Sequence, residues 1–185
     1  MALESDDLLR RLQELGIAHQ THEHAAVFTV EEAQRHCGHL PGAHCKNLFF
    51  KDKKGQLWLV VTFDDRKVDI KTLQKAIGAA RLSFGKAELL MEVLGVIPGA
   101  VTPFGLINDT EQRVQVILDA EMMAADMLNY HPLRNDATTA ITPADLRRFI
   151  SACGHSARDL NIPPPDADKR SEEHTSELQS RRDLV

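Results

Sequence analysis

Cys45-Lys46-Asn47-Leu48-Phe49-Phe50-Lys51 and Leu57-Trp58-Leu59-Val60-Val61-Thr62-Phe63 are two runs rich in Leu, Val and Phe, separated by Asp52-Lys53-Lys54-Gly55. β-branched and aromatic residues suit a pleated, buried surface, and the Asp/Lys/Gly interruption has the composition of a tight turn. The pair is therefore predicted to be an antiparallel hairpin. Upstream of it, Leu8, Leu9, Leu12 and Leu15 recur at helical spacing after Ser5 and two aspartates, and Gly16 stands where a helix would stop. A short strand is expected over Ile17–Glu23, then a helix opened by Thr29 as N-cap, with Glu31 and Glu32 in its first turn, running to Cys37. Gly38 to Gly42, with Pro41, ends it.

Downstream of the hairpin, the apolar spacing predicts helices over Asp69–Ile77 and Lys86–Leu94, the second stopped by Gly95. Ile97–Gly105, IPGAVTPFG, carries two prolines and two glycines that interrupt either regular ladder, so it is expected to be a loop. Strands are expected over Leu106–Asn108, Arg113–Leu118, Met127–Tyr130 and Thr138–Ile141, with a helical turn near Glu121. Pro143 at the first helical position, behind Thr142 as cap, opens a last helix to about Cys153. Strands and helices alternate without a βαβ period, which predicts the α+β class: a mixed β-sheet with packed helices.

The 185 residues suffice for one core, and the expected domain spans 1–165. No stretch approaches the roughly 20 apolar residues that span a bilayer, and MALESDDLLRRLQEL lacks a basic, then apolar, leader pattern. Cys37, Cys45 and Cys153 form no paired motif. These features together predict a cytoplasmic protein without a membrane partner. The net charge of −5 conceals a reversal: residues 45–90 carry ten basic side chains against five acidic ones, whereas residues 1–44 carry three against seven. Two readings of this basic island stay open, a phosphate-facing surface and an ordinary solvated lysine face. Residues 166–185 are expected to be a disordered tail. From Arg170 the stretch RSEEHTSELQS reads as the translation of a widely used sequencing-library adapter, so 170–185 is expected to be an assembly artefact.

Three segments combine polar chemistry with unusual backbone: Lys46-Asn47 at a strand start, Gly99-Ala100-Val101-Thr102-Pro103-Phe104-Gly105 in the loop, and His131-Pro132-Leu133 with Asn135 and Thr138. Each alone has an ordinary structural explanation, as a surface residue, a turn or a satisfied histidine. In this order, over residues 5 to 160, they resemble the YbaK and prolyl-tRNA-synthetase-associated domain family. Lys46-Asn47 matches its Lys-Asn pair, Gly99 to Pro103 its Gly-x-x-x-Pro loop, and His131-Pro132 its His-Pro step. VTPFGLIND and HPLRNDATT look closest to the freestanding, alanine-directed branch.

The resemblance implies hydrolysis of the aminoacyl ester on a mischarged tRNA. The implied catalytic residues are Lys46, Asn47, Gly99 and His131, and the implied substrate-binding residues are Ala100, Val101, Thr102, Pro103, Phe104 and Asn135. It implies as partners the acceptor end of proline tRNA and, transiently, prolyl-tRNA synthetase, with no cofactor and no metal. The residue types suit the task, because an aminoacyl ester is already activated and needs orientation and oxyanion stabilisation more than a strong nucleophile. Lys46 supplies a cation, and Gly99 allows close backbone approach. In the family the vicinal ribose hydroxyl is thought to help activate the water, so His131 need not be the general base.

Cysteinyl or seryl esters remain alternative substrates, and a non-catalytic tRNA- or synthetase-binding module is a further reading. The spacing of His36, His39, His44 and Cys45 fits no paired zinc pattern. A thiol nucleophile at Cys45 competes with the simpler reading of a buried strand cysteine facing away from Lys46.

Overall fold

The structure, a computed structural model, describes residues 2–165, so the expectations for 166–185 lie outside the described residues. In chain order the elements are α1 (Ser5–Glu14), β1 (Gln20–Glu23), α2 (Val30–Cys37), β2 (Ala43–Asp52), β3 (Leu57–Phe63), α3 (Ile70–Ile77), β4 (Leu82–Phe84) and α4 (Ala87–Leu94). There follow β5 (Val114–Asp119), β6 (Leu128–Tyr130), β7 (Ala137–Ile141), α5 (Pro143–Ala152) and β8 (Ala157–Leu160). The strands form one mixed sheet in the order β1-β7-β6-β2-β3-β5-β8, with β4 also paired to β2. This is the α+β architecture expected.

The hairpin is present as read, with Lys46 opposite Thr62 and Asn47 opposite Val61. Its turn is held by Asp52, which is buried. One carboxylate oxygen accepts the amides of Lys54 (2.9 Å) and Gln56 (3.0 Å), and the other accepts the Trp58 indole (3.1 Å) and the Ala80 amide (3.3 Å). Burial raises the Asp52 carboxyl, but these donors outweigh it and hold the group below its ordinary value.

β2 is the longest strand and joins two halves of the sheet. One edge pairs with β3 over Cys45–Lys51; the other meets β6 at Ala43 and His44 and β4 at Phe50 to Asp52. On that second edge Cys45 to Leu48 lie between the two partner strands. The gap sets Lys46 and Asn47 at an opening in an otherwise continuous ladder.

The helices close the core around the sheet. Leu8 and Leu12 of α1, Leu73 and Ile77 of α3, Leu90, Val93 and Leu94 of α4 and Leu146, Phe149 and Ile150 of α5 are all buried. Each sits at helical spacing on one face, so burial follows the sequence periodicity. Thr29 and Thr142 cap α2 and α5, accepting the amides of Glu32 (3.1 Å) and Asp145 (3.2 Å).

The expected strand over Leu106–Asn108 is not formed; those residues belong to a 3-10 helix, Pro103–Asn108. Thr102 starts it by accepting the Phe104 amide (3.2 Å), and Pro103 stands at its first position. A second 3-10 turn covers Pro98–Ala100, so the Gly/Pro loop is two tight turns. Two strands went unforeseen. β4 has three residues, and β8, Ala-Arg-Asp-Leu, is too polar to read as a strand but pairs in parallel with β5.

Candidate active site

A narrow pocket of about 30 Å³ opens beside the N-terminal half of β2. Its wall comes from α2 (Val30, Ala33, Cys37), β2 (His44, Cys45, Asn47), the end of β3 (Asp64) and the β6–β7 region (Asn129, Tyr130, His131, Thr138). A single water needs roughly 10–15 Å³ on such a measure, so the space suits a water and a small group. Asn47 is 2 % exposed, and its side-chain oxygen is buried without a hydrogen-bond partner. A buried acceptor is costly unless something donates to it, so the Asn47 oxygen is open to a hydrogen bond from a water or a ligand in the pocket.

His131 follows β6 directly. Its Nδ1 lies 2.9 Å from the Ala137 carbonyl, and since a carbonyl only accepts, Nδ1 carries the proton. Burial pushes its pKa down to about 4, with neighbouring His24 acting in the same direction against the Ala137 bond and Asp136. The ring is therefore neutral near pH 7, and Nε2 is the acceptor it offers. His24, with ring centroid 6.2 Å from that of His131, is anchored in the same way: Nδ1 donates to the Ala25 carbonyl (2.8 Å). In the neutral ring its Nε2 then accepts from the Thr138 hydroxyl (2.8 Å), which fixes a second polar group of the wall.

Lys46 is 6 % exposed and sits on the strand face of its partner Thr62. Thr62 Oγ1 donates to the fully buried Asp119 (2.6 Å), which also forms an ion pair with Arg66 (3.1 Å). Lys46 also acts through its charge on the pocket carboxylate Asp64, lowering a pKa that burial raises. Lys46 does not line the pocket: strand alternation points it away from Cys45 and Asn47, which do, and its link to the site is the charge felt by Asp64.

The Gly/Pro loop stands behind this wall. A Cβ on Gly99 would lie 3.1 Å from the Phe28 ring, 3.2 Å from the Asn135 amide nitrogen and 3.2 Å from the Val27 carbonyl, a cradle that favours glycine. Asn135 donates to that same carbonyl (2.8 Å), tying the connection between β1 and α2 to the segment after β6 that carries His131. Ala100, Val101, Thr102, Pro103 and Phe104 are buried. Phe104 packs edge-on against Tyr130 (5.4–6.0 Å being the range of its ring contacts) and Phe149, so its side chain belongs to the core. Of the residues marked in the sequence, then, Asn47, His131 and Thr138 share the pocket, and Lys46 does not line it. Gly99, Asn135 and the side chains of 100–104 do not line it either, and Asn135 instead lines a separate cleft with Ile97, Leu133 and Arg134.

Asp64, Asn129 and His24 carried no sequence signal. The first lies three residues beyond the Asn47 partner Val61, and the last reaches the site only because β1 pairs with β7. Asn129 braces the wall by donating to the Pro41 (2.9 Å) and Ala43 (3.1 Å) carbonyls. Cys45 lines the pocket, but burial pushes its thiol up to about 12, which withholds a thiolate. His44 Nε2 is engaged by the Leu40 carbonyl (2.9 Å). Of the basic island, Lys51, Lys53, Lys54, Lys67, Lys71, Lys75, Arg81 and Lys86 are exposed, while Arg66 is drawn inward to Asp119.

A neutral imidazole and a carboxamide oxygen without a protein partner share a water-sized space, an arrangement able to orient a water or a small polar group. The chain belongs to the aminoacyl-tRNA editing domain family, whose model matches residues 24–149. It is thereby an enzyme of the aminoacyl-tRNA deacylase class. It is 42% identical over 156 residues to prolyl-tRNA synthetase associated domain-containing protein 1 of Danio rerio, covering 81% of this chain and 85% of the relative. Prolyl-tRNA editing protein ProX of Acetoanaerobium sticklandii is 35% identical over 156 residues, covering 84% and 95%. A structure solved as a candidate trans-editing enzyme for prolyl tRNA synthetase shares the fold, with TM-score 0.64 at 22% identity over 86% of this chain and 98% of that one. Among the described residues no helix is long and apolar enough to cross a membrane.

Proposed function

We propose that this protein is a trans-editing deacylase that hydrolyses the ester between a misattached small amino acid, alanine first, and the 3′ end of proline tRNA. The observation that carries the reading is the pocket of about 30 Å³ shared by Asn47 and His131, too small for a bulky side chain and large enough for a methyl group and a water. Lys46 stabilises negative charge developing on the ester or holds the terminal phosphate. The Asn47 side-chain oxygen and His131 Nε2 accept hydrogen bonds from the terminal ribose and the attacking water. Neutral His131 positions these groups, and the vicinal ribose hydroxyl shares in activating the water. Gly99 lets the loop pack closely against Phe28, Asn135 and the Val27 carbonyl, which sets where the loop backbone stands. Transient contact with prolyl-tRNA synthetase would deliver the mischarged tRNA.

The test is to incubate the protein with proline tRNA charged separately with alanine, cysteine, serine and proline. Rapid loss of the alanyl ester with the prolyl ester spared is the expected result. Faster loss of the cysteinyl or seryl ester would reassign the substrate, and survival of all four esters would overturn the reading.

A further inference from the structure

The pocket that the proposed function assigns to the aminoacyl group has one charged acceptor. Among the described residues lining it, Asp64 is the only carboxylate. It stands at the end of β3, where its amide donates to the His44 carbonyl (2.9 Å), so its backbone is fixed by the same strand pair that carries Lys46 and Asn47. Its side chain is half-buried, and one oxygen accepts a long bond from Gln34 of α2 (3.3 Å). A carboxylate offers about four acceptor positions, so this bond leaves capacity for a ligand.

An aminoacyl ester carries a free α-ammonium group beside the scissile carbonyl. That cation must be desolvated when the small side chain enters a narrow pocket, and desolvation is costly unless a fixed anion meets it. We propose that Asp64 recognises the α-ammonium group of the esterified amino acid, and so restricts the site to free aminoacyl esters over N-acylated ones. This rests on the editing reading and names the group on the substrate that Asp64 meets. Burial and neighbouring Asp65 raise the Asp64 carboxyl above its ordinary value, against the Gln34 bond and the charges of His44 and Lys46, so a substrate cation beside it would favour the ionised form.

The experiment compares alanyl-tRNA and N-acetylalanyl-tRNA, both built on proline tRNA, as substrates of the full chain and of Asp64→Asn. The wild-type chain should strongly prefer the free amine. In Asp64→Asn, kcat/KM for the alanyl ester should fall about 10- to 100-fold, the range expected for losing a charge-assisted hydrogen bond, and the N-acetyl ester should lose far less. Preference between the two esters should therefore collapse. Asp64→Glu, which keeps the charge on a longer stem, should recover part of that preference. Equal losses on the two esters, or unchanged preference in Asp64→Asn, would overturn the assignment and leave Asp64 as a tie to α2 through Gln34. Wild-type chain inert toward both esters would instead overturn the editing reading, and this inference with it.

Discussion

Replacing His131 by Asn separates a neutral positioning imidazole from a titrating general base. The Asn side chain can keep the donor to the Ala137 carbonyl, which the ring now meets at 2.9 Å, while removing Nε2 and the titration. In the folded protein burial holds His131 near 4, against 6.5 for the free side chain. Between those values the unfolded chain binds a proton that the folded chain refuses, so the favourable contribution is complete above about pH 6.5 and is lost as pH falls toward 4. A difference of about 2.5 pK units at 1.36 kcal/mol each amounts to about 3 kcal/mol. Urea unfolding at a series of pH values from about 7 to about 4.5 should show the wild-type chain losing up to this much more stability than His131→Asn. Activity should follow the same logic: kcat/KM of the wild-type chain toward the alanyl ester stays level through pH 6.5, and His131→Asn is slower at every pH. Parallel stability profiles, or a wild-type acid limb near pH 6.5 that vanishes in His131→Asn, would refute the reasoning.

Lys46→Ala should lower deacylation by at least about 100-fold, the scale of losing one stabiliser of developing charge, with circular dichroism unchanged; near-normal turnover would remove Lys46 from the mechanism. Gly99→Ala must move Phe28, Asn135 or the Val27 carbonyl by a few tenths of an ångström. Its thermal midpoint should drop modestly while kcat/KM falls about 10-fold or more, because positioning suffers before the fold does. Asp52→Asn should cost about 2 kcal/mol at neutral pH by urea titration. Because the folded Asp52 pKa lies below its ordinary value, that difference is present above about pH 4 and shrinks as pH falls through the folded value. Finally, KM for mischarged tRNA should rise with added salt if the exposed lysines of residues 45–90 meet phosphates, and a flat response would leave them as a solvated face.

Local physics carried the sequence reading of the fold. The hairpin, the caps at Thr29 and Thr142 and the helical stripes are decided by neighbours within a few residues, and each is present. β8 was illegible because a polar tetrapeptide becomes a strand only when β5 offers it an edge. Leu106–Asn108 misled because its apolar residues fit either a buried strand or a tight helix, and the Thr102 cap decided for the latter. At the site, Lys46, Asn47 and His131 were legible through a family resemblance; spacing alone said nothing of their meeting. His24, Thr138 and Asp64 come together through the pairing of β1 with β7 and of β2 with β3, separations of more than a hundred residues in the first case.

The central strand has a further consequence for which length changes this chain can tolerate. Because Ala43–Asp52 is gripped by different partners at its two ends, inserting or deleting one residue within it cannot be absorbed by sliding. Side chains alternate along a strand, so such a change would exchange the orientations of Lys46 and Asn47. A length change in the turn after Asp52 would instead sacrifice the carboxylate's bonds to Lys54 and Gln56 while leaving the orientations of Lys46 and Asn47 intact.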